Sequence, residues 1–151
     1  MEQLLIMNGA NVNATDAAGR SILIDAVQAR NESMVSLLLQ YGANPQIQEM
    51  SGRNAYHEAA LNGNTNIITM LRNAGGNPLS RDSYGETPFS LVLRSNDENL
   101  IHTVLGANTM IVDSDGNTPI HIAVERQASA KMLNMLLNMG YPINQRNGKG
   151  I

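Results

Sequence analysis

A phrase made of a turn, a glycine, a hydroxyl-proline start and a short apolar run recurs along the chain, and its spacing restricts the fold more than any other feature. Its cleanest copy is Asp113-Ser-Asp-Gly-Asn-Thr-Pro-Ile-His-Ile-Ala-Val. It returns as Asp82-Ser-Tyr-Gly-Glu-Thr-Pro-Phe, as Glu49-Met-Ser-Gly-Arg-Asn-Ala-Tyr-His-Glu-Ala-Ala, and as Asp16-Ala-Ala-Gly-Arg-Ser-Ile-Leu. The first three copies begin at 16, 49 and 82, so the spacing is 33 residues twice running. A fixed period in this range means stacked supersecondary units, each covering its neighbour, in place of one globular core.

The wording of these copies resembles the ankyrin repeat, and the resemblance covers essentially all 151 residues. It implies an all-α solenoid of stacked helix–turn–helix units with β-turn or hairpin fingers. On that frame residues 1–151 form a single domain. A partial copy occupies 1–15, full copies occupy 16–48, 49–81, 82–112 and 113–146, and a further copy starts at 147–151. Gly9, Gly42, Gly75 and Gly140 stand where second helices stop, because glycine enters the left-handed region cheaply.

Within a copy, a first helix is expected from about Ser21 to Ala29 and a second from about Glu32 to Gln40. Met34, Val35, Leu38 and Leu39 recur there at helical spacing. Ser21 is placed to cap the first helix, and Pro88 fits a first helical position, where its missing N–H costs nothing. Small Ala26, Ala59, Ala60 and Ala123 let neighbouring helices approach. The third copy departs: Ser90 replaces His, Val92-Leu93 replace two alanines, and two residues are missing, placed just after Val104-Leu105. Overpacking of such sites costs about 1–3 kcal/mol, so this copy is expected to be the weak seam, opening first from about Ser95 to Met110. The alternative is that Val92 and Leu93 fill the space left by the deletion and give a tight, curved joint.

Composition narrows the function. A formal net charge of -3 argues against the basic stripe of a nucleic-acid binder. With no cysteine there is neither disulfide nor thiolate metal site. No apolar run approaches the roughly 18 residues of a membrane helix, and the start lacks a signal peptide's basic and small-residue elements. These features favour a cytoplasmic or intracellular setting and a monomer without membrane or nucleic-acid partners.

No catalytic, cofactor or metal site is expected. Under the resemblance His57 and His121 are structural hydrogen bonders between units, while His102 reads as a surface residue. Asp16, Glu49, Asp82 and Asp113 recur once per copy, which suits turn formation and does not give the converging acids that acid–base chemistry needs. Asp113-Ser-Asp-Gly-Asn is similar to the start of a calcium loop, but Val124 stands where the twelfth-position acid is required.

What remains is surface. The resemblance implies docking on the concave face, formed by turn tips and inner-helix ends. Carried over copy by copy, the contact residues are Arg20, Met50, Arg53, Leu61, Tyr84, Glu86, Arg94, Asn117 and Arg126. Aromatic and Arg side chains are the usual hot spots, and Tyr84→Ala and Arg53→Ala are expected to weaken binding with folding intact. The function implied is a non-enzymatic scaffold for a protein partner. The alternative is a targeting or substrate-recruiting arm of a larger enzyme or secreted effector.

Overall fold

A computed structural model describes residues 11–106 and 111–142. Among them are eight α-helices and no strand: α1 (Ile22–Gln28), α2 (Glu32–Gln40), α3 (Ala55–Asn62), α4 (Thr65–Asn73), α5 (Pro88–Leu93), α6 (Glu98–Leu105), α7 (Pro119–Glu125) and α8 (Ala130–Asn138). The expectations for Gly9, for most of the partial copy at 1–15 and for the start at 147–151 lie outside the described residues.

Helices of six to nine residues do not persist alone in water. Here each begins on a side-chain cap that satisfies an otherwise orphaned N–H. Ser21, Asn54, Thr87 and Thr118 cap α1, α3, α5 and α7, and Pro88 and Pro119 open their helices. Asn31, Asn64, Asp97 and Ser129 do the same for α2, α4, α6 and α8. The odd-numbered helices stack on one another as an inner layer, and α2, α4 and α6 stack behind them. Ala26, Ala59, Ala60 and Ala123 are buried between the layers, together with Leu23, Tyr56 and Phe89.

Ahead of each inner helix the chain projects a turn whose acid is turned onto its own backbone. Asp82 Oδ1 accepts from Tyr84 N–H at 2.8 Å and Glu86 N–H at 2.9 Å. The Asp16, Glu49 and Asp113 carboxylates accept from N–H groups at the same two offsets. Neighbouring tips then bond through backbone: Met50 N–H to Ala18 C=O at 3.0 Å, and Ser83 N–H to Ser51 C=O at 2.9 Å. Gly52 is obligatory at this contact. Its φ is +81°, and a Cβ there would sit 2.7 Å from Ser83 N.

The third unit packs closely against the second. Val92 and Leu93 are buried, and the α3–α5 contact is the most extensive of the stack. The deletion does end α6 early, at Leu105. Its unpaired end carbonyls are met from the second unit, by Tyr56 Oη on Val104 C=O at 2.5 Å and by the Arg72 guanidinium on Thr103 C=O. The third unit is therefore fastened to the second. The thinner contact lies on its other side, where α5 meets α7 least and α6 barely meets α8.

Candidate functional site

The tips and inner-helix ends bring some of the nine expected contact residues to the surface and tie down the others. Met50 and Tyr84, 78 % and 74 % exposed, crown the second and third tips. The Ser83–Ser51 backbone bond holds those tips side by side. Leu61, at the end of α3, is 48 % exposed, and the Arg94 side chain is 70 % exposed.

The remaining five are occupied. Arg20 folds back over α1 onto Asp25 and Gln28. Arg53 Nε bonds Asp82 Oδ2 on the next tip at 3.2 Å. Asn117 Nδ2 turns inward to Asp113 Oδ2 at 3.0 Å. Glu86 must be removed from the contact set, because it is only 5 % exposed. Its carboxylate lies between the guanidinium groups of Arg94 at 2.5 Å and Arg126 at 2.9 Å. Arg126 also donates to Gly85 C=O at 2.6 Å.

Two features escape sequence reasoning. Arg81 donates to Gly85 C=O at 2.8 Å and reaches Asp113 Oδ2 at 3.2 Å and Glu125 Oε2 at 3.3 Å. Gln48, one copy earlier, likewise bonds its own tip's Gly52 C=O and the Arg81 C=O of the next. A long polar side chain immediately before the turn acid was the available signal. Val124 is 61 % exposed, although its counterparts Val27, Ala60 and Leu93 are buried. An inner helix follows each of those three, and none follows α7 among the described residues.

The histidines serve structure. Buried His57 accepts Asn54 N–H on Nδ1 at 3.2 Å, and its Nε2–H donates to Glu86 C=O of the next unit at 3.0 Å. His121 Nδ1 accepts Thr118 N–H at 3.1 Å in the same way. His102 is exposed. Among the described residues no group of three or more His, Cys, Asp or Glu could hold a metal, and no helix is long and apolar enough to cross a membrane. Both oxygens of Asp113 already accept from the protein's own donors, which leaves the calcium-like segment organised as a turn. We expect His57→Ala to cost about 1–3 kcal/mol in a denaturant titration, because it strands buried groups at both ends of the imidazole.

Titration follows the same geometry. Burial pushes the His57 pKa below its ordinary 6.5, against the opposing pull of the Glu86 carbonyl and Asp82. For Asp82 burial pushes upward, but the Glu86 N–H, Arg53 and the Tyr84 N–H outweigh it and the net is below 3.8. For Asp113 burial is likewise outweighed, by Asn117, Asp115 and Arg81. A group with a depressed folded pKa adds stability above its unfolded pKa and loses it as pH falls toward the folded value. Stability should therefore begin to decline below pH 6.5 as unfolded His57 takes up its proton. A second, steeper decline should start below pH 3.8, where these acids take up protons in the unfolded chain while the folded turns still hold them ionised. Thermal midpoints measured across pH would check this, and His57→Gln should remove the upper step alone.

Comparison with protein families gives two matches. The one described as ankyrin repeats (3 copies) matches residues 1–82, more than half of the 151, and the one described as ankyrin repeat matches residues 115–148. Residues 83–114 fall between them, and that stretch holds Ser90, Val92-Leu93 and the deletion. No curated protein matches the chain.

Proposed function

The chain belongs to the ankyrin repeat family, and we propose that this segment is a non-enzymatic scaffold. It holds a protein partner against its tips and the adjoining inner-helix ends, the concave face of the family. The observation that carries the proposal is the pairing of Met50 and Tyr84 on adjacent, hydrogen-bonded tips. Two large side chains that could have been small polar turn residues instead stand in water, close enough to be covered together. Leu61 and the free edge of Arg94 extend that patch along the inner-helix ends. A broad face of turn tips and helix ends suits a protein partner better than a metabolite.

The test is site-specific photo-cross-linking in the cell of origin. A photoreactive residue at Met50 or Tyr84 should give discrete adducts that the same residue at Ser33 or Asn66, exposed on outer helices, does not. Adducts from the outer positions alone, or none from the tips, would sink the proposal. With the captured partner in hand, Tyr84→Ala should weaken binding by about 1–3 kcal/mol. It should leave the denaturation midpoint unchanged, because the ring is 74 % exposed. Arg53→Ala no longer shares the expectation of intact folding. It strips the buried Asp82 carboxylate of its ion pair, so binding and stability should fall together.

A further inference from the structure

The third and fourth units are joined differently from the others. Units one and two, and units two and three, share a backbone bond between tips. Among the described residues the equivalent Ser114–Tyr84 bond is not made. Arginines bridge the gap instead. Arg81 spans from its own Gly85 C=O to Asp113 and Glu125 of the fourth unit, while Arg126 of the fourth unit reaches back to Gly85 C=O and the buried Glu86 carboxylate. On the opposite side of the stack α6 and α8 leave a cleft of about 630 Å³. Its lining includes His102 from α6, Asn134 and Met135 from α8 and Met139 just past it. The exposed Lys131–Glu98 ion pair crosses it at 3.8 Å and is too solvated to hold the helices together. Between clasp and cleft lies the narrow α5–α7 contact.

We propose that this junction is a rocker. The arginine clasp draws the tips of units three and four together and, about the α5–α7 pivot, holds α6 and α8 apart. Releasing the clasp lets the outer helices close, covering the half-buried Met139 and changing the angle at which the fourth unit meets the tip face. Charge-assisted bonds of this kind are strong when dry and directional. The clasping arginine side chains are 27 % and 30 % exposed, so salt and competing carboxylates reach them. Packed helices pivoting between two arrangements are an established form of conformational change. The rocker does not depend on what the tips bind.

The absence of native cysteine allows spin labels to be placed at will. Asn66→Cys with Ala130→Cys spans the junction from α4 to α8, and Ser33→Cys with Asn99→Cys spans the units before it as a control. All four positions are exposed on outer helices. Electron–electron distances are measured at about 0.05 M and about 1 M salt, where the screening length falls to roughly 3 Å. They are measured again in Arg81→Gln/Arg126→Gln, with circular dichroism to verify that the helices remain. The expected result is a shortening of the 66–130 distance by a few ångström under either treatment, with the 33–99 distance unchanged. The salt arm needs no clasp substitution and stands if the double variant fails to fold. A 66–130 distance that stays constant or lengthens, or an equal change in both pairs, overturns the proposal.

Discussion

Tyr56→Ala is expected to lower the free energy of unfolding by about 3–5 kcal/mol, the range for deleting a large buried ring. Tyr56 is fully buried on α3, whose contact with α5 is the most extensive of the stack. Two segments outside α3 close on it. Its ring packs so near Gly76 that a Cβ there would lie 2.4 Å from Tyr56 Cδ1. Its hydroxyl bonds the Val104 carbonyl at the shortened end of α6. Removing the ring opens a cavity between units two and three and leaves that carbonyl without its donor. Tyr56→Phe separates the two contributions: it keeps the packing and should cost only about 1–3 kcal/mol, the penalty for stranding a buried acceptor. Equilibrium urea titrations of the three proteins measure both steps. A loss under about 1 kcal/mol for Tyr56→Ala would mean that the site collapses around the deletion, and that Tyr56 does not fasten the third unit.

How much of this was legible follows from how far each interaction reaches. The inner-helix caps and the turn acids depend on residues two to four positions away, and the repeated phrase contains them. Ser21, Pro88 and the Asp82 turn therefore read directly from sequence. Met50 and Tyr84 were legible as well, since a tip side chain has few neighbours to bury it. Glu86 was not. Its fate depends on Arg94, eight residues on, and on Arg126 in another unit. A tip acid with no cation opposite would have been solvated, while the same acid between two guanidinium groups becomes interior. The deletion's consequence was hidden for the same reason. The groups that repair the end of α6 are Tyr56 and Arg72, 48 and 31 residues from the carbonyls they meet. The family matches carry the fold without locating either compensation, because the third copy is the one they leave out.

Hydrogen exchange should place the weakest coupling between units three and four, with amides of α7 and α8 exchanging about 10–100 times faster than those of α3 and α4. That ratio corresponds to a difference of about 1.4–2.8 kcal/mol in local opening. In a quasi-linear stack each unit is held by its own stability and by its interfaces. The fourth unit has the thinnest inner interface and a cleft in place of an outer one. End fraying alone would loosen α1 and α2 equally, so that pair is the discriminating control. The first unit is fastened better. Besides the Met50–Ala18 tip bond, Asn62 Nδ2 donates to Val27 C=O at 2.7 Å and Arg30 donates to Asn62 C=O at 2.9 Å. Protection should therefore rank α3 to α6 highest, α1 and α2 next, and α7 and α8 last. Fastest exchange in α5 and α6 would restore the sequence-based expectation that the third copy itself is the weak seam. It would also mean that Tyr56 and Arg72 do not hold the end of α6. Equal exchange at the two ends of the stack would leave only fraying, and the junction would have no weakness of its own.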